Sequence, residues 1–92
     1  MKIERAKLFD IRLESIILHI AKESPHNARK LKNRFEKSIN NLDYMPYKFR
    51  KSYYYDNENI RDLIVQRYTL PYLIDNDNDR IVVLDIFKWG ER

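Results

Sequence analysis

The chain has no cysteine, a single glycine and three prolines in 92 residues, and each shortage removes a class of chemistry. Without cysteine there is neither a disulfide framework nor a thiolate metal site. One glycine, Gly90, cannot build a glycine-rich loop that cradles phosphate. No stretch approaches the roughly 18–20 apolar residues that span a bilayer. The opening MKIERAKLFD carries scattered charges and no apolar run of signal-peptide length. A cytoplasmic protein with no membrane partner is the expectation. His19 and His26 fall on separate predicted helices without a ligand-spaced partner, so they read as surface or satisfied histidines, not as a zinc site. Asp75-x-Asp77-x-Asp79 imitates the opening of a calcium loop, but Arg80 stands where glycine is required and Ile86 where the bidentate glutamate belongs. That segment reads as an acidic turn. No nucleophile and base stand at a recognisable spacing. A conventional hydrolase or a cofactor-dependent enzyme is disfavoured, and neither metal nor cofactor is expected.

What is present is basic charge, unevenly spread. Ninety-two residues make one domain, 1–92, with one modest core and no deep substrate cavity. Residues 1–46 hold ten Lys/Arg and six Asp/Glu, residues 47–55 three basic and no acidic, and residues 56–92 five basic and eight acidic. The three balances, +4, +3 and −3, sum to the net charge of +4. The excess lies in the first half and in the segment that leaves it. Such a patch suits an acidic partner, nucleic acid or protein; a solvated helix surface gives the same pattern.

The periodicity predicts an α+β domain. Met1 to about Lys7 reads as a short strand. From Leu8 to Glu23, Phe9, Leu13, Ile16, Ile17 and Ile20 recur at helical spacing. Ser24-Pro25 then supplies an N-cap and a first-turn proline for a second helix to about Leu42, striped by Ala28, Leu31, Phe35, Ile39 and Leu42. Two helices with almost no linker form an antiparallel hairpin. Asp43 to Asn59 is an aperiodic arm rich in Tyr, Lys and Arg. Three antiparallel strands follow: Ile60–Gln66, a run in which Tyr68, Leu70, Tyr72 and Ile74 alternate, and Arg80–Lys88, apolar enough to be buried on both faces. Pro71 lacks a donor, which calls either for a bulge or for pairing on one side only.

Two surfaces carry functional expectations. On the first helix, Ile11 and Leu18 project almost opposite the core stripe, at 100° per residue. Exposed, the two represent roughly 3–5 kcal/mol of burial open to a partner; alternatively the N-terminal strand or the arm covers them. The second surface is basic and aromatic: Lys48, Arg50 and Lys51 on the arm, Arg67 and Tyr68 at a strand junction, and Lys88, Trp89 and Arg92 at the end. Arginine with stackable rings holds RNA or single strands, and the same composition makes protein hot spots. Trp89 is either a lid on the core or an exposed anchor.

Four phrases in order resemble one family. HIAKESPHNARKL (19–31), NLDYMP (41–46), NIRDLIVQRYTLPYLID (59–75) and the closing RIVVLDIFKWGER (80–92) are similar to the helical turn, helix exit, strand pair and last hairpin of the RelE/ParE superfamily of type II toxin–antitoxin toxins. The resemblance implies a strand–helix–helix–three-strand fold and a cognate antitoxin that wraps and neutralises the toxin, with operator DNA contacted only through that antitoxin. RelE-like members cut messenger RNA in the ribosomal A site with Arg, Lys and Tyr side chains; ParE-like members are associated with DNA gyrase. Here Thr69 replaces the arginine that usually follows the strand tyrosine. The chain ends at Arg92, which leaves no place for a later catalytic tyrosine. Both departures favour the ParE-like, non-enzymatic reading, with Ile11 and Leu18 for the antitoxin and the basic-aromatic set for the target. On the nuclease reading, Arg50, Lys51, Arg67, Lys88 and Arg92 would hold the RNA phosphate. A third reading is a toxin-derived binding domain without toxicity.

Overall fold

The computed structural model describes residues 1–89, in the order β1 (Lys2–Arg5), α1 (Lys7–Glu23), α2 (Pro25–Asn40), a short 3-10 turn (Pro46–Lys48), β2 (Ile60–Val65), β3 (Tyr68–Asp75), β4 (Arg80–Val83) and β5 (Phe87–Lys88). The α+β class and the helical hairpin follow the sequence. At the hinge, the Ser24 hydroxyl accepts from the Asn27 amide at 3.1 Å, and Pro25 opens α2. Both are the local signals that allow one helix to end and the next to begin with no loop.

The three expected antiparallel strands are present, but the sheet as a whole is mixed. Its order is β1-β4-β3-β2, and β1 pairs with β4 in parallel, Lys2 opposite Arg80 through Arg5 opposite Val83. The helical hairpin is the reason. It carries the chain from β1 across one face of the sheet, so the strand that precedes it returns to an edge with the same direction as β4. The helices pack on that face. Phe9 and Leu13 of α1 and Leu31, Phe35 and Ile39 of α2 meet Leu63, Leu70, Tyr72, Ile74, Ile81 and Val83 in one core. The Phe35 ring stands edge-on to Tyr68 at 5.4 Å. Arg5 and Glu36 pair by two hydrogen bonds and tie β1 to α2.

Nor is Arg80–Lys88 a single strand. The pairing of β3 with β4 stops at Tyr72 opposite Val83 and resumes one residue out of step, with Thr69 opposite Phe87 in β5. Pro71 stands at the break. Its carbonyl accepts from the Leu84 amide at 2.8 Å, but it has no N–H to return the bond. The strand bulges through Leu84, Asp85 and Ile86, and the extra residue reverses the faces to which the last side chains point. Asp85 is buried in the bulge. Its carboxylate accepts from its neighbour's amide, Ile86, at 2.7 Å and from Arg12 of α1 at 3.0 Å. A nearly continuous apolar run therefore reflects a kink that buries Ile86 and Phe87 in succession, not a strand covered on both faces.

The acidic turn between β3 and β4 is held by its own side chains. Asp75 accepts from Asn78 Nδ2 at 2.9 Å and from Arg80 Nε at 2.8 Å, and Arg80 also reaches Glu4 at 2.9 Å. Asp79 takes a left-handed φ of 49°, which aspartate tolerates. The Arg80 hydrogen bond, then that of Asn78, holds the Asp75 carboxyl below the usual carboxylate range. A lowered folded-state pKa stabilises the fold above the unfolded value and loses that contribution as pH falls through it. Asp75→Asn should therefore flatten the acid limb of a thermal-stability profile measured from neutral pH to about pH 3, while leaving the melting temperature less affected by acid than that of the parent chain.

Candidate functional site

The arm between α2 and β2 wraps an edge of the sheet. Residues 50–52 run beside β2. Asp62 donates its amide to the Arg50 carbonyl at 3.1 Å, Ser52 donates to the Ile60 carbonyl at 2.8 Å, and Lys51 faces Arg61 in a single bridge. The chain before this point lies over the helix side of the sheet, and the chain after it lies over the opposite side. On the helix side, Phe49 stands edge-on to Tyr72 at 6.4 Å and the Tyr72 hydroxyl donates to the Pro46 carbonyl. On the far side, Tyr54 packs edge-on to Phe87 at 4.8 Å.

Two consecutive β2 residues fasten the arm, because successive side chains on a strand point to opposite faces. The Arg61 guanidinium donates to the carbonyls of Glu58 at 3.0 Å and Phe49 at 3.2 Å and lies over the Tyr47 ring at 5.0 Å. Asp62, fully buried, accepts from Arg50 at 3.4 Å and from the Tyr53 amide at 3.3 Å. Neither residue was singled out by the sequence reading, although both sit in the IRDL phrase that carries the resemblance. The signal was a charged pair in the middle of an apolar strand, where a buried carboxylate demands a partner.

This clasp changes what the arm offers. Arg50 neutralises Asp62 and stacks over Tyr53 at 4.0 Å. Lys48 lies over the rings of Phe49 and Tyr44, at 5.1 and 5.8 Å, and Lys51 is exposed. Arg67 is exposed at the two-residue turn between β2 and β3, and Lys88 pairs with Tyr68 in the ladder close by. Arg50 and Lys51 lie beside Arg61 and Asp62, so the strand rise separates them from Arg67 by roughly 13–17 Å. The basic residues form two groups at opposite ends of β2. Tyr68 is half-buried against Phe35. Trp89 is 63% exposed, so its ring is not a lid on the core. Arg92 lies outside the described residues.

The helix-one surface is open. Ile11 and Leu18 are 55% and 58% exposed, and neither β1 nor the arm covers them. Leu8, 45% exposed, extends the stripe by one turn at the spacing that continues it. The sequence reading missed Leu8 because it also begins the helix.

A helical hairpin packs on one face of a small mixed sheet, and the domain presents exposed apolar and basic surfaces around it. The family of ParE toxins of type II toxin–antitoxin systems, parDE, matches residues 3–91, and the chain belongs to that family. The fold agrees. It is similar to the chromosomal ParDE TA system from P. aeruginosa, with a TM-score of 0.80 over 98% of this chain and 97% of that chain, at 17% identity. A comparison with curated proteins finds no match. Among the described residues no helix is long and apolar enough to cross a membrane.

Arg61→Ala should release the arm before it unfolds the sheet. Loss of the guanidinium–carbonyl bonds is expected to cost about 1–3 kcal/mol, read as faster hydrogen exchange at the Lys48 and Ser52 amides with β3 amides still protected. Uniform loss of protection across both would show that the clasp is inseparable from the core.

Proposed function

We propose that this chain is the toxin of a type II toxin–antitoxin module that arrests growth by binding DNA gyrase and is neutralised by a cognate antitoxin. Membership of the ParE toxin family supports the module. The observation that carries the non-enzymatic, gyrase-directed reading is the separation of the cations. A side-chain set that polarises a scissile phosphate must converge on one point, yet Arg50 and Lys51 stand at one end of β2 and Arg67 and Lys88 at the other. Arg50 is paired as well. Thr69, where the resemblance expects an arginine, is fully buried.

The antitoxin docks on α1 through Leu8, Ile11 and Leu18. The stripe is apolar, helical in spacing and uncovered, which suits an amphipathic helix laid along it. The target is held by the basic-aromatic set, Lys48, Arg50, Lys51, Arg67, Tyr68, Lys88, Trp89 and Arg92. In this assignment Arg50 and Tyr68 support the surface from beneath and the exposed members touch the partner. Operator DNA is reached only through the antitoxin.

Purified toxin should inhibit gyrase supercoiling and leave ribosome-bound messages intact in a parallel cleavage assay. Intact supercoiling together with A-site cleavage would replace this reading by a ribosome-dependent nuclease, and inactivity in both assays by a binding domain without toxicity. Leu18→Asp should weaken antitoxin binding at least about tenfold, because a charge replaces a buried anchor, with an unchanged melting temperature. Undiminished affinity would remove α1 from the interface.

A further inference from the structure

The sheet face turned away from the helices is covered unevenly. The arm closes it at Asp62 and at Phe87, but stops short of the β2–β3 turn. There the register sets Ile64 opposite Thr69, and the Trp89 amide donates to the Arg67 carbonyl at 2.6 Å. These residues and Gln66 line a cavity of about 320 Å³. Its apolar walls are left open to water, with Ile64 44% and Trp89 63% exposed. Beneath them lies Thr69, 0% exposed, with a hydroxyl that has no hydrogen-bond partner. Arg67 is exposed at the rim, and among the described residues it makes no ion pair and no carboxylate lines the cavity.

Resting on the reading that this end of the molecule meets a protein target, we propose that the cavity seats a tyrosine side chain of that target, flanked by carboxylates. Three features select this occupant. An exposed tryptophan beside a branched aliphatic residue favours a ring, which packs edge-on or offset against the indole. The buried, unpaired hydroxyl favours a ring with a polar tip, since a buried hydroxyl without a partner is a cost that such a tip removes. Thr69 is covered in the free chain, so the ring reaches it as the wall of the cavity gives way. The unpaired Arg67 then favours acidic neighbours along the same segment. A nucleobase fits less well, because its several edge donors and acceptors would face apolar walls with few partners.

Trp89 is the only tryptophan, so its emission reports the cavity directly. The full chain is titrated with a peptide carrying one tyrosine among aspartates and glutamates. Its emission should change and saturate. Phenylalanine in place of tyrosine should bind about three- to tenfold more weakly through loss of one hydrogen bond, and alanine should abolish the response. Thr69→Val should erase the difference between tyrosine and phenylalanine, and Arg67→Glu should weaken the acidic peptide at least about tenfold. Circular dichroism confirms that each variant is folded; should Thr69→Val fail to fold, Thr69→Ser, which keeps the hydroxyl, is expected to retain the preference for tyrosine. No emission change up to millimolar peptide, an equal response to a lysine-flanked peptide, or tighter binding of a single-stranded oligonucleotide would overturn the proposal. The gyrase reading fails separately. A parent chain that leaves supercoiling untouched yet binds the peptide refutes the target and not the cavity. Full gyrase inhibition by folded Ile64→Ser and Arg67→Glu refutes the cavity and not the target.

Discussion

The clasp of Arg61 and Asp62 on the arm is the interaction from which the exposed surfaces of this ParE-family domain take their shape. Adjacent on β2, the two side chains leave opposite faces of the strand and hold opposite sides of one wrapping segment. Without it, β2 would present an open row of backbone donors and acceptors, a template for unwanted strand pairing. With it, the edge is paired, Phe49 is placed over Tyr72 on one face and Tyr54 over Phe87 on the other. The same clasp consumes charge. Arg50 becomes the counter-ion of a buried carboxylate, so an arm that looks strongly basic offers the exposed Lys48 and Lys51 and little else.

Layering separates the two exposed apolar surfaces. The helices occupy one face of the sheet, so the outer stripe of α1 looks away from the molecule on that side, while Ile64 and Trp89 look away on the other. Pro71 deepens the asymmetry. The missing donor forces the bulge, the bulge shifts the register by one residue, and the shift brings Phe87 onto the face of Thr69 and carries Trp89 back across from Arg67. The buried Asp85, gripped by Arg12 and by its neighbour's amide, fixes the kink against α1. One absent hydrogen bond thus determines where the exposed tryptophan stands.

Local chemistry made much of this legible in the residues. Ser24-Pro25 predicted the hinge, helical spacing predicted both core stripes, and the Asn-Asp cluster at 76–79 predicted a turn. The lack of a donor on Pro71 called for either a bulge or one-sided pairing, of which the fold takes the bulge. Ile11 and Leu18 were legible as a second face because helical geometry fixes directions from spacing alone. The arm was not. Its residues have no period, and the partners of Arg50, Tyr54 and Phe49 lie on strands that tertiary folding brings beside them.

The sequence by itself determined the class: a helical hairpin before a strand-rich half, apolar stripes for one core, and four family phrases in order. Only the tertiary structure decided that β1 joins the sheet in parallel, that the run from Arg80 to Lys88 breaks at Val83, and which cations remain available to a partner. The reason is physical. Spacing and propensity act within a few residues, whereas strand direction, register and the pairing of a buried charge depend on groups far apart in the chain, whose free energies are settled together when the core closes.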